Sequence, residues 1–165
     1  MWQRSIVNAG HQPRNAQHTA VSVRIADPSE HEVLAALYRS WGYRAGIGPG
    51  SVVYAAICDG QTVGLVRRTV EDATTMLRGM FIHPELRRRG IGEQLLAAFT
   101  TDLPDVDCLC VPFTHLVSFY GRSGFIVIPE SAAPAFLRER LERYRGEGHD
   151  MLVMRRPRPS IPKLS

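Results

Sequence analysis

Residues 77–99 read LRGMFIHPELRRRGIGEQLLAAF. Leu77 to Ile82 is a short apolar run of strand type, with Gly79 placed for a bulge or a close approach. Pro84 stops that strand because it has no N–H to give to a ladder. Arg87-Arg88-Arg89-Gly90-Ile91-Gly92 then opens a helix, in which Ile91, Leu95, Leu96 and Phe99 recur at helical spacing. The first N–H groups of a helix have no helical partner, and the helix dipole leaves about half a positive charge at that end. Two glycines let an anion approach the backbone, and three arginines surround it. The stretch predicts a pyrophosphate cradle; the plain alternative is an Arg-rich corner that binds nothing.

Other cradles do not fit. No Lys-Ser or Lys-Thr follows a glycine as in the P-loop. Gly90-Ile91-Gly92 begins a dinucleotide-binding GxGxxG, but Leu95 stands at the third glycine position, and too many residues separate Ile82 from Gly90 for that tight first turn. What remains is R-x-x-G-x-G, from Arg87 to Gly92, after a strand and a proline. This pattern resembles the acetyl-CoA-binding motif of the GNAT superfamily of N-acetyltransferases. A second motif agrees: Phe119-Tyr120-x-x-x-Gly124-Phe125 lies about thirty residues on, with His115-Leu116 before it.

Around these motifs the chain divides readily. Residues 1–20 are polar and read as a tail; 21–155 read as one acetyltransferase-like domain; 156–165, with Pro157, Pro159 and Pro162, read as a second tail. Val21 to Ala26 is a first strand, and Val33, Leu34, Leu37, Tyr38 and Trp41 mark the apolar face of a first helix. Gly42 to Gly50 is a loop carrying Tyr43 and Arg44, either bordering an acceptor site or merely connecting. Ser51–Cys58 and Thr62–Val70 pair across Asp59-Gly60, a favoured two-residue turn. Glu71-Asp72-Ala73 turns again into Thr74–Ile82. The cradle helix runs to Leu103, a strand follows over Val106–Val111, and another over Phe125–Ile128. Pro134–Arg145 is a last helix and His149–Arg155 a last strand.

The resemblance implies an α/β fold with a mostly antiparallel, mixed sheet of six or seven strands. Helices would cover both faces, and a V-shaped splay would open between the fourth and fifth strands. Acetyl-CoA would enter that splay as co-substrate. Met80, Phe81 and Ile82 would meet its pantetheine arm, and a backbone N–H near Ile82 would polarise the acetyl carbonyl. Arg87, Arg88, Arg89, Gly90, Ile91, Gly92 and Glu93 would hold the pyrophosphate. Tyr120 takes the family's general-acid place, facing the departing thiolate, or else is a packed aromatic like Phe119.

The sequence departs from the family where a base is expected. Met76 and Cys108 stand at positions that often carry Glu in branches acting on protein lysines and N-termini, and Phe113 stands where Asn is common in the family. An ordinary Lys amine is neutral at pH 7 in roughly one part in 2,500, a cost of about 4.6 kcal/mol, against about 1.4 for an α-amine of pKa about 8. The acceptor therefore has a low amine pKa or loses its proton through a water chain. Glu71, Asp72 and His115 are candidate ends of that chain, each otherwise an ordinary loop or capping residue. The expected activity is acetyl transfer to a primary amine by direct attack in a ternary complex; the alternative is a non-catalytic acyl-CoA-binding module.

Composition bounds the rest. At 165 residues, 44% hydrophobic and 22% charged, the chain suits one globular domain. Its net charge of +4 invites a nucleic-acid partner, but no stacking platform or recognised motif accompanies the arginines, so none is expected. Three cysteines, Cys58, Cys108 and Cys110, argue against a disulfide framework, and the scattered histidines against a metal. No apolar run is long enough to span a membrane. The expectation is a cytoplasmic monomer or homodimer with an unidentified amine acceptor.

Overall fold

The computed structural model describes residues 20–160. Of the expected tails, 1–19 and 161–165 fall outside them, and Arg156, expected in the second tail, instead closes the last strand, so that the described elements run from Val21 to Arg156.

Strand β1 (Val21–Ile25) leads through Asp27 into helix α1 (His31–Ser40). Asp27 and Glu30 form a capping box over the intervening 3-10 turn, and Arg24 clamps Glu30 with two bonds of 2.8 and 2.6 Å. Leu34, Tyr38 and Trp41 form the buried stripe of α1. Val33, expected on that face, is instead 71% exposed, because it lies one step round the helix from Leu34.

Strands β2 (Val52–Cys58), β3 (Gln61–Glu71) and β4 (Thr74–Ile82) form the antiparallel meander that the turn residues predicted. Asp59 and Gly60, then Asp72 and Ala73, both take positive φ at the two central turn positions, the geometry that matches strand twist. Helix α2 (Ile91–Thr101) buries Ile91, Leu95, Leu96 and Phe99 against one face of the sheet, the four positions read from the sequence. Its far end is tied down by Asp102, whose carboxylate accepts from the Tyr54 hydroxyl at 2.5 Å and from Arg68 at 3.1 Å.

Strand β5 (Cys108–Cys110), helix α3 (Val117–Gly121), strand β6 (Ile126–Val127), helix α4 (Ala135–Gly146) and strand β7 (Met154–Arg156) complete the order. The seven strands lie as β1-β2-β3-β4-β5-β7-β6, with β4–β5 the parallel pair. This is the mixed, mostly antiparallel α/β sheet expected. α2 and α3 cover one face, where Cys108 and Cys110 are free buried thiols, while α1 and α4 cover the other. The fifth and seventh strands are shorter than their apolar runs, since beyond Cys110 only an isolated bridge joins Phe113 to Met151.

Candidate active site

Strand β4 pairs with β5 only at Thr75–Cys108 and Met76–Leu109, yet it continues to Ile82. Along Leu77–Ile82 its outer edge therefore has no strand beside it, and the sheet opens there. The unpaired edge is a row of backbone groups suited to an extended ligand arm.

A bulge shapes this edge. Leu65 faces Phe81 and Arg67 faces Arg78, so two residues of β4, Gly79 and Met80, stand against Val66 alone. The extra residue flips the alternation: Leu77, Met80 and Ile82 pack toward α2, whereas Phe81 packs toward α1. Gly79 absorbs the irregularity at φ +62°, and its carbonyl accepts from the buried Tyr38 hydroxyl at 2.6 Å.

The helix start lies at the end of the same strand. His83 caps a short turn through its Nδ1, which accepts from the Glu85 N–H at 3.3 Å. Arg88 and Gly90 both take left-handed backbone, at φ 63° and 79°, and Gly90 caps α2 without a side chain. None of the N–H groups from Arg88 to Glu93 donates to a described backbone or side-chain acceptor. These are the free donors of a helix start, in the loop that the sequence marked out.

The side chains differ in placement. Arg88 and Arg89 are exposed. Arg87 folds back over the Phe81 ring at 4.9 Å and donates from Nε to the Ile82 carbonyl at 3.3 Å. Glu93 meets Arg122 of the α3 end at 2.7 Å. A Cβ on Gly92 would sit 3.3 Å from the Phe119 ring, so this glycine admits α3 against α2 as well as keeping the helix start open.

Tyr120 is 5% exposed in the core on the α2 side, edge-on to Phe119 at 5.0 Å and to Phe125 at 5.9 Å. Burial raises its phenol well above the ordinary value of 10, and Cys110 and Tyr43 push the same way. It is thus a proton donor across the neutral range.

The three proposed ends of a water chain stand apart. Glu71 is claimed by two cations: Arg78 at 2.7 Å and Arg140 of α4 at 2.5 Å. Burial would raise its carboxyl, but the Arg140 bond and the charges of Arg78 and Arg140 win and hold it below 4.5. Asp72 sits in the exposed turn at the start of β4, at the opposite end from Ile82. His115 stacks on Phe113, centroids 5.6 Å apart. Met76 and Cys108 are fully buried, so no carboxylate stands where the family's base would be expected. Among the described residues, no group of three or more His, Cys, Asp or Glu could hold a metal.

The sequence reading missed Arg67. It lies on β3 in register with Arg78, 5% exposed, with no carboxylate partner among the described residues. The signal was local: Arg67 follows Leu65 at strand period, which turns it to the face that Leu65 shares with α1.

Residues 49–127 match the family model described as Acetyltransferase (GNAT) domain. No curated protein matches the sequence. Among solved structures, N-acetylglutamate synthase from Neisseria gonorrhoeae, complexed with coenzyme A and N-acetyl-glutamate, aligns over 86% of this chain at 17% identity and TM-score 0.60. The chain spans only 36% of that synthase's length. The ribosomal-protein-S18-alanine N-acetyltransferase from Escherichia coli aligns over 88% of this chain and 99% of its own, at 12% identity and TM-score 0.61. PaiA N-acetyltransferase from Thermoplasma acidophilum, in complex with coenzyme A, aligns over 84% and 99%, at 14% identity and TM-score 0.56. At such identities the likeness is one of fold. The segment matched by the family model runs from β2 to β6 and takes in the opened strand, the helix start and Tyr120, so over these residues the chain is similar to the GNAT acetyltransferase domain.

Proposed function

We propose that the protein is an acetyl-CoA-dependent N-acetyltransferase acting on a primary amine. The observation that carries this is the continuity of one surface. The unpaired edge of β4 from Leu77 to Ile82 runs directly into the free N–H groups of Arg88 to Glu93. An extended arm paired along the first would deliver its pyrophosphate to the second, where the dipole and the exposed Arg88 and Arg89 favour negative charge. Arg87, held on Phe81, shapes the strand end and contributes charge at longer range.

The chemistry is a direct transfer. The lone pair of the amine attacks the thioester carbonyl carbon, and negative charge develops on its oxygen near a backbone N–H of the Met80–Ile82 edge. The C–S bond then breaks. The departing thiolate takes the phenolic proton of Tyr120, while the amine nitrogen gives up its proton to solvent. The raised phenol suits an acid that must stay protonated until the thiolate forms. The free thiols Cys58, Cys108 and Cys110 suit work in the cytoplasm.

The absence of a placed carboxylate base favours a second reading, a binding module that holds acyl-CoA without turning it over. Calorimetric titration with acetyl-CoA, on the intact protein and on the Arg88→Glu, Arg89→Glu pair, separates the cases. Micromolar binding weakened at least tenfold in the charge-reversed protein supports the cradle, and thiol release with amines then supports the enzyme. Tight binding without thiol release for any amine favours the module. No binding by the intact protein refutes both.

A further inference from the structure

Buried guanidinium groups almost always meet a carboxylate, because an unpaired charge out of water is costly. Arg67 does not. Its Nη1 donates to the Gly46 carbonyl at 2.6 Å, its Nη2 reaches the Tyr43 hydroxyl at a long 3.3 Å, and its Nε is buried with no partner. The face of Tyr38, 5.9 Å away, offers only the weak pull of a ring.

Its neighbours deepen the imbalance. Arg78 stands directly opposite on β4, and like charges in that relation repel. Glu71 answers Arg78 and Arg140 together, and Arg140 keeps one buried Nη without a partner. Of these three guanidinium groups on the sheet face between α1 and α4, Glu71 pairs with two and leaves Arg67 without a carboxylate.

The position is next to the chemistry. Arg67 Nε, Tyr38 Oη and Tyr43 Oη all converge on the bulge, lying 3.1, 2.9 and 3.2 Å from where a Cβ on Gly79 would be. Met80, the next residue, begins the edge where the thioester is placed under the reading above. An anion held at Arg67 therefore belongs to the molecule whose amine faces the thioester.

We propose that Arg67 anchors a carboxylate carried by the acceptor, so that the acceptor is an amino acid or a closely similar small amino-carboxylic acid. The carboxylate takes the Nε–Nη2 side of the fork, where the long Tyr43 contact is the only one in place, and the loop holding Tyr43 and Gly46 closes on it. This rests on the acetyltransferase reading and names its substrate class.

The test follows thiol release from acetyl-CoA with the standard amino acids, their carboxamides and n-butylamine, beside calorimetric acetyl-CoA affinity. The expected result is turnover of at least one free acid, with its carboxamide and n-butylamine lower by at least 100-fold in kcat/KM. Arg67→Gln should abolish that preference, and Arg67→Lys should raise KM for the acid at least tenfold with kcat less affected. Acetyl-CoA affinity should stay within threefold in both. If Arg67→Gln does not fold, Arg67→Lys carries the test through the KM-against-kcat split. Acetyl-CoA bound but amides or n-butylamine used as well as acids, or no acid used at all, overturns the proposal and leaves the cofactor site standing. A preference that survives in the Arg67 variants overturns it equally. Failure to bind acetyl-CoA is the separate failure of the underlying reading.

Discussion

Gly79→Ala should destabilise the protein by an amount the structure sets. Gly79 holds φ +62°, where an L-residue costs about 1–2 kcal/mol. The new Cβ would also lie 2.9 Å from the Tyr38 hydroxyl and 3.1 Å from Arg67 Nε, nearer than such atoms tolerate. Tyr38 is wholly buried and cannot swing to solvent, so its 2.6 Å bond to the Gly79 carbonyl must lengthen or break, adding about 1–2 kcal/mol. Together these give about 2–4 kcal/mol, or a fall in Tm of about 4–16 °C for a domain of this size. Thermal unfolding followed by circular dichroism measures it. Gly79→Asn separates the two causes, since Asn accepts left-handed backbone more readily but brings the same Cβ. An alanine variant melting within 2 °C of the parent would refute the reasoning, because the bulge would then have room that these distances deny.

Tyr120→Phe should lower kcat by about 10²–10³-fold with acetyl-CoA affinity unchanged, as expected for loss of a general acid; because the phenol is raised above 10, a pH–rate profile of the parent should show no fall from this group below pH 10. Glu71 carries a depressed carboxyl, so its contribution to stability is complete above about pH 4.5 and is lost as pH falls through its lower folded value; Tm measured from pH 6 to pH 3 should drop less steeply in Glu71→Gln than in the parent, and equal slopes would refute the pairing. Asp102→Ala removes the shared acceptor of Tyr54 and Arg68 and should cost about 1–3 kcal/mol in chemical denaturation, with acetyl-CoA affinity intact, since the site lies at the other end of α2.

What the sequence disclosed depends on how far apart the deciding residues lie. The meander was legible because Asp59-Gly60 and Asp72-Ala73 are local turn chemistry, and a two-residue turn fixes the register of everything beyond it. The helix start was legible for the same reason: Gly90, Gly92 and the apolar spacing from Ile91 to Phe99 are contiguous. Strand ends were not, because β5 and β7 stop where their partners diverge rather than where their own apolar runs stop. Glu71 misled for a related reason. Its claimants, Arg78 and Arg140, are 7 and 69 residues away, and the second arrives only because α4 returns across the sheet.

Arg67 shows where local reading could have gone further. A charge at an inward position of an apolar strand conflicts with the pattern around it, and natural sequences keep such conflicts where function repays them. The conflict is visible in the strand step from Leu65 to Arg67, but its meaning is not, because the groups that fail to neutralise it come from the α1–β2 loop, the β4 bulge and α4. The same bulge turns Gly79 toward Tyr38, Tyr43 and Arg67, beside the β4 edge that β5 leaves open. Under the proposed reading one irregular residue therefore couples the two halves of the site: shifting the bulge would move the edge proposed to meet the thioester and the guanidinium proposed to meet the acceptor by the same step, which would keep amine and carbonyl in register with each other.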